Sequence, residues 1–356
     1  MPEPAPLITD VRTRLIRIPL TRPWGADVTD IRVVEVTIVC EDGSEGHGFS
    51  WTPSIGGGAV KAMLDEDLAP FLRGRPAHPE LWDAAWVHLH EAGGGGVTTI
   101  ALAGVDLALW DRRARAAGTS VTAVLGRNHD RLPVYGSGVN LHYTLDELVA
   151  QAERWVRAGH EAVKIKVGRP DPAEDLDRVA AVRSVIGPDR RLLVDANQRW
   201  DLETATRRIQ ALSAHSLGWV EEPLRADDLA GYAELRRRID VPIALGENVH
   251  TVHRFRDFLD AGAVDVVQPN IVRVGGITPF LRIVELAGQR QVELAPHLLP
   301  ELSAQVAFAL PEQSWIEDVE DAGFAALGAL SETARLAVSN GWITGGPSLG
   351  LGLRFR

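Results

Sequence analysis

Three short apolar runs in this chain of 356 residues end in a carboxylate at a constant interval. Leu192-Leu193-Val194-Asp195, Gly218-Trp219-Val220-Glu221 and Ile243-Ala244-Leu245-Gly246-Glu247 place their acids 26 residues apart in both steps. That interval fits one strand, one helix and two loops, the unit of a (β/α)8 barrel, whose strand C-termini converge on a single mouth where active sites lie. Three acids at one mouth repel one another unless a cation neutralises them, and a set of oxygen ligands suits Mg2+. One unit earlier, Lys164 and Lys166 in Val163-Lys164-Ile165-Lys166-Val167 stand two apart on a strand, so both face the same side. With the barrel interior on that side, Asp195, Glu221 and Glu247 become candidate Mg2+ ligands beside two inward lysines.

Composition removes several other functions. Hydrophobic residues make up 45% and charged residues 24% of the chain, the balance of an ordinary globular protein. A net charge of −11 argues against nucleic acid as a partner. It does not oppose a small anionic substrate, because the local field of a metal site outweighs the global charge. No apolar stretch is long enough to span a bilayer. Pro2, Glu3, Pro4 and Pro6 stand where a signal peptide would have a basic start and an apolar run, so the expected location is cytoplasmic. Cys40 is the only cysteine, which rules out an intrachain disulfide or a thiolate metal cluster; its apolar neighbours Ile38 and Val39 make it a core residue.

The pattern along the chain divides it. Residues 7–19 and 31–40 alternate apolar and polar positions, a turn signal follows at Glu41-Asp42-Gly43-Ser44, and 46–51 reads as a third strand of an antiparallel meander. Residues 59–72, 79–91 and 97–117 read as helices, with Gly93 to Gly96 breaking the pattern before the last. Residues 1–125 are therefore expected to form an α+β domain. From Leu132 eight strand candidates alternate with helical segments, ending in a weak strand near Trp315-Ile316-Glu317. Residues 126–330 are compact for a barrel, for which around 250 residues is typical, so the last helix should be short or irregular. The tail 331–356, with Gly346, Pro347, Gly350 and Gly352, is expected to return to the first domain as loop and strand.

The motifs together resemble the mandelate racemase subgroup of the enolase superfamily. They are the lysine pair, Val194-Asp195-Ala196-Asn197, Val220-Glu221-Glu222-Pro223, Gly246-Glu247-Asn248, Val274-Gly275-Gly276-Ile277-Thr278, Pro296-His297 and Glu317, in that order. The resemblance covers the whole chain. It implies a modified TIM barrel of (β/α)7β type under an α+β capping domain completed by the C-terminal tail, and a homo-oligomer. It also implies that Asp195, Glu221 and Glu247 hold Mg2+ against a substrate carboxylate while a lysine or histidine base removes the α-proton to give an enediolate.

In that scheme Lys166 is the base. Its amine must lose its proton near neutral pH, and the adjacent Lys164 ammonium and the metal would both favour the neutral form. Lys164 would also meet the substrate carboxylate. His297 is the acid/base for the opposite face, and Glu317, if protonated, would donate a hydrogen bond to the enediolate. Asn197 would support a lysine or the substrate, and Glu222 would support the ligands. The resemblance calls for an Asp beside His297, but the matching segment reads Gln268-Pro269-Asn270. Asn270 brings no negative charge, which weakens a two-base racemase. Arg273 stands where related cycloisomerases and dipeptide epimerases carry a lysine, and an Arg is a poor base. Substrate contacts are expected from the capping loops, Thr21 to Gly25 and Trp51 to Gly58, through Arg22, Trp24 and Trp51, and from His142 after the first barrel strand.

The reading that follows is a Mg2+-dependent dehydratase acting on a sugar acid or a similar hydroxy carboxylate to give a 2-keto-3-deoxy acid. A racemase or epimerase using Lys166 and His297, and a non-catalytic binder of metal and carboxylate, stand as alternatives. Proton exchange separates the last from the others, and loss of water separates the first two.

Overall fold

The computed structural model describes residues 5–25 and 27–356. Three antiparallel strands open the chain in the order β1-β2-β3, with β1 at Ile8–Trp24, β2 at Val28–Cys40 and β3 at Glu45–Thr52. The first hairpin is longer than the alternation suggested. Arg22 and Trp24 lie on β1 itself, and Trp24 pairs with Val28 across the turn. This corrects the expectation of a loop there.

The helix Val97–Ala116 covers this sheet and is buried almost all round, as the apolar residues on every side of its first three turns require. One face lies on β3 so closely that a Cβ at Gly48 would fall 2.2 Å from the Gly104 carbonyl oxygen. The other side faces the barrel. There Asp106 accepts hydrogen bonds from the Thr278 amide at 2.9 Å and the Thr278 hydroxyl at 2.6 Å. Thr278 opens the barrel helix Ile277–Gln289, which has no side-chain cap of its own. Other barrel helices are capped locally by Thr144, Asp171, Asp201, Asp228 or Thr251. Here the first domain supplies the carboxylate that an uncapped helix start needs. Gly276 must be glycine, since it adopts φ 111° and a Cβ would lie 2.3 Å from Asp106 Oδ2. The Trp82 indole donates to the Gly275 carbonyl at 2.8 Å. The glycine motif at 275–278 is thus where the two domains meet.

Eight parallel strands follow: β4 (Arg131–Ser137), β5 (Ala162–Lys166), β6 (Arg191–Asp195), β7 (Leu217–Glu221), β8 (Ile243–Leu245), β9 (Val266–Val267), β10 (Glu293–Leu294) and β11 (Ile316–Val319). They pair in sequence from β4 to β10, and β11 pairs with β4. Seven helices join them, the last being the short Pro300–Ala307, and none follows β11 before the terminal strands. This is the (β/α)7β arrangement. Inside, Tyr135, Ala162, Leu193, Trp219, Ala244, Val266 and Ala295 form one packed layer. The period of two puts Lys164, Lys166, Asp195 and Glu221 on the same inward faces, one or two steps toward the mouth.

The tail takes two routes. β13 (Leu336–Ser339) and β14 (Trp342–Gly345), which follow β12 (Leu330–Glu332), form a hairpin whose second strand pairs antiparallel with β4 of the barrel. Beyond it, β15 (Arg354–Phe355) pairs with β12, and Phe355 joins Phe324 in packing edge-on against Phe49 of the first domain. The expectation of a simple return over 331–356 missed this hairpin, whose Trp342-Ile343-Thr344 completes its pairing only against a distant strand. No helix among the described residues is long and apolar enough to cross a membrane.

Candidate active site

Register aligns the chemistry. Lys166 is paired across the sheet with Asp195, and Asp195 with Glu221. Glu247 reaches the same level from two residues beyond β8, so carboxylate oxygens of Asp195, Glu221 and Glu247 come within 4.8 Å of one another. Lys164 Nζ lies 2.8 Å from Glu221 and 2.7 Å from Glu317, and Lys166 Nζ pairs with Asp195. His297 Nε2 is 2.7 Å from Glu247 Oε2 and 3.8 Å from Glu317 Oε2. All of these side chains are buried.

The charges do not balance. Four carboxylates, Asp195, Glu221, Glu247 and Glu317, face the ammonium groups of Lys164 and Lys166 and the Arg273 guanidinium, which lies 3.7 Å from Glu247, so negative charge is in excess in a buried site. Burial pushes Glu221 up to about 8 even though Lys164 opposes the shift. An all-oxygen donor set with excess negative charge fits a hard cation such as Mg2+.

Without the cation, two groups of the site are held in their charged forms. Burial alone would lower Lys166, but Asp195 outweighs it and holds the ammonium above its ordinary range. A second ammonium at Lys164 is therefore insufficient to free the amine, and the lowering depends on the cation's charge. Glu317 is not a protonated donor. Burial would raise it, yet Lys164 and His297 bring it down to about 2. It accepts hydrogen bonds from the Ser137 hydroxyl at 2.7 Å and the Leu298 amide at 3.0 Å, so it acts as an anionic anchor for Lys164.

Around this centre the remaining residues divide. Asn197 is exposed, and its backbone amide, at φ 45°, donates to Asp195 at 2.8 Å. Glu222 accepts from Gln198 at 3.0 Å and Asn248 at 2.8 Å, and burial raises it well above the carboxylate range. Asn248 also donates to Glu247 at 2.9 Å, linking Glu222 to the ligand set. Arg273 donates to the Glu247 carbonyl and to Asn248, and its guanidinium lies 5.5 Å from the Trp51 ring centroid. Trp51 is fully buried beneath it with its indole nitrogen unpartnered.

Arg22, Trp24 and His142 are placed elsewhere. Arg22 pairs with Glu147 at 2.9 Å and stacks 3.5 Å from the Tyr143 ring centroid. Arg22 and Trp24 line a small cleft with Tyr143, Gln151, Arg154 and Glu320 that shares no residue with the carboxylate cluster. His142 is exposed and packs edge-on against Tyr143. The cleft beside the mouth, about 600 Å3, is lined instead by Gly94, Gly95, Gln198, Arg225, Asn248 and Arg254. The glycine run that reads as a mere helix break in the sequence thus borders the site.

Sequence reasoning assigned no role to Asn140, Gln268 or Ser137. Asn140 Oδ1 accepts from the Lys166 amide at 2.9 Å, and Gln268 Nε2 donates to Glu221 at 2.7 Å. Ser137 and Gln268 stand at or just after strand ends, which was a usable signal. Asn140 is one polar residue in a loop, and nothing local distinguishes it.

Comparison with known proteins agrees with this geometry. Residues 147–356 match the enolase C-terminal domain-like family, and residues 8–126 match the mandelate racemase / muconate lactonizing enzyme N-terminal domain. The chain belongs to the mandelate racemase / muconate lactonizing enzyme family of the enolase superfamily. It is 37% identical over 317 residues to a 3,6-anhydro-alpha-L-galactonate cycloisomerase of Streptomyces coelicolor, covering 87% of this chain and 88% of that protein. A racemase from S. coelicolor A3(2) with bound magnesium superimposes with a TM-score of 0.92 at 35% identity, over 98% of this chain and 97% of the other. L-Talarate dehydratase from Polaromonas sp. JS666, complexed with Mg and L-glucarate, gives 0.88 at 35% identity over 99% and 96%. Family members of known structure thus hold Mg2+.

Proposed function

We propose that this protein is a Mg2+-dependent lyase that removes the α-proton of a sugar acid and expels the oxygen at the β-carbon, giving a 2-keto-3-deoxy acid. The observation that carries the reading is the buried cluster itself, in which Lys166 stands in register with Asp195 and three carboxylates converge. Asp195, Glu221 and Glu247 would hold the ion, which when bound would supply Lewis-acid polarisation of the substrate carboxylate. Lys164, anchored by Glu317, would neutralise the same carboxylate. Lys166 takes the α-proton. Buried surroundings exclude water and strengthen each of these interactions.

Two products are chemically distinct. If the β-oxygen is a free hydroxyl, elimination releases water, as a dehydratase requires. If it is a ring ether, the same bond cleavage opens the ring without loss of mass. The second reading is favoured by the relative named for a 3,6-anhydro acid, in which the oxygen on C3 is part of a bridge. Screening a library of aldonates, aldarates and anhydro acids for 2-keto acid formation tests the proposal, and product mass separates the two reactions. Solvent deuterium entering C2 with no elimination on any member of the library would replace this reading with a racemase or epimerase.

A further inference from the structure

The strand that carries Lys166 outruns one of its neighbours. β4 pairs with β5 only as far as Ser137 opposite Lys164, whereas β6 continues to Asp195 opposite Lys166. Successive amides of a strand point to opposite sides. Val167 donates to the Asp195 carbonyl at 2.9 Å, so the Lys166 amide points to the side that β4 has left. A buried N–H needs an acceptor. Asn140, on the loop that leaves β4, supplies it, with Oδ1 accepting from the Lys166 amide at 2.9 Å. A side chain thus stands in for the missing strand at this one residue.

Asn140 is itself held from two sides. Its Nδ2 donates to Gln151 Oε1 at 2.9 Å, and Gln151 Nε2 donates to Glu320 Oε2 at 2.8 Å. Arg154 closes on both Glu320 oxygens at 2.8 and 2.9 Å. The polarity of this chain is fixed at both ends, because a backbone amide can only donate and a carboxylate can only accept. Neither amide can turn over without setting donor against donor or oxygen against oxygen. Gly138 leaves the space, since a Cβ there would lie 2.6 Å from Gln151 Nε2 and 3.0 Å from Asn140 Nδ2. The loop backbone is fixed by Arg178, which is buried on the helix Pro172–Ile186. Its Nη2 donates to the Asn140 carbonyl at 2.8 Å and, at 3.5 Å, to that of Lys166, while Nη1 donates to the Tyr143 carbonyl at 3.0 Å.

We infer that Asn140 is a positioning residue for Lys166, holding its main chain where β4 has ended, and that Gln151, Glu320 and Arg178 hold Asn140 for that task. The inference rests on the reading of Lys166 as the group that takes the α-proton. Asn140 touches the Lys166 backbone, so it acts through the place from which Nζ reaches the substrate. Proton abstraction needs the base within hydrogen-bond reach of the C–H, and a misplacement of about 1 Å can cost on the order of 10^2-fold in rate.

The first test needs no substrate. A crystal structure of full-length Asn140→Ala with Mg2+ should keep the carboxylate cluster, with Mg2+ affinity by calorimetry as in the wild type, and should show the Lys166 main chain displaced or in more than one conformer. Lys166 in its wild-type place overturns the inference. The second test uses the acid found by screening. In Asn140→Ala, kcat should fall by about 10- to 10^2-fold with KM unchanged, the mark of an interaction that counts only in the transition state. Wild-type kcat, or a raised KM at unchanged kcat, overturns the positioning role.

Asn140→Asp keeps an acceptor for the buried amide, and so tests the chain even where Asn140→Ala does not fold. The new carboxylate offers Gln151 no donor, so Gln151 must turn over and set its Oε1 against Glu320. Turnover should fall, and adding Glu320→Gln should restore most of it, because the second amide can donate to the turned Gln151. The charge at position 140 is the same in both variants, so equal losses in the two overturn the role of the chain. Should no acid be eliminated, the functional proposal fails while the crystal structure still decides whether Asn140 places Lys166.

Discussion

Two groups of buried carboxylates in this molecule do opposite things. At the barrel mouth, Asp195, Glu221, Glu247 and Glu317 are crowded together against Lys164 and Lys166. At the seam between the domains, Asp106 sits alone and is satisfied by the amide and hydroxyl of Thr278. Burial has pushed Asp106 up to about 7, whereas Glu317 is held far down by Lys164 and His297. The seam carboxyl is satisfied by hydrogen bonds and serves stability. The mouth is left with excess negative charge that only a cation relieves, and such imbalance is the physical mark of a functional site.

The comparison breaks first if the mouth needs no cation. Chelation should abolish turnover of the acid found by screening, and add-back of Mg2+ should restore it, while full turnover of metal-free protein would remove the basis for separating the two regions. Lys166→Ala should lower turnover by at least about 10^2, the low end for a general base, with Mg2+ binding followed calorimetrically and retained. Wild-type exchange of the α-proton with D2O in that variant would place the base elsewhere.

At the seam the effects should appear in stability. A raised folded-state pKa means that the contribution of Asp106 is fully present below about pH 4 and is lost as pH rises through about 7. Asp106→Asn cannot ionise, so between pH 4 and pH 8 the wild type should lose stability relative to the variant. The loss should be no more than about 4 kcal/mol, the equivalent of about three pKa units. Urea denaturation across that range would show it, and parallel curves would mean that Asp106 does not titrate. Trp82→Phe removes the indole donor to the Gly275 carbonyl and should cost about 1 kcal/mol, with the mouth unaffected.

The two regions were unequally visible in the sequence. The mouth was legible because barrel strands repeat and side chains alternate, so residues far apart in number fall at the same height. Lys166, Asp195, Glu221 and Glu247 could be placed from spacing alone. Asp106 gave no such signal, since an Asp in an apolar helix reads as a solvent-facing residue until a second helix is known to start beside it. The same limit applied to the supporting residues, as Asn140 lies in a loop and meets Lys166 only in the folded barrel. Arg22 and Trp24 read as loop residues because the length of the first hairpin depends on cross-strand pairing, which local composition does not encode.

What the chain determined by itself is therefore the periodic part: eight strands, the inward lysines and the acids in phase. Tertiary structure decided the direction of each interaction. It ionised Glu317 by setting Lys164 against it, and it took Arg22 to Glu147 and away from the carboxylates. It also pinned the Asn270 oxygen on two backbone amides, so that its NH2 meets His297. Periodicity follows from bond geometry and is carried by every strand, whereas the polarity of a contact depends on which groups distant segments bring to it.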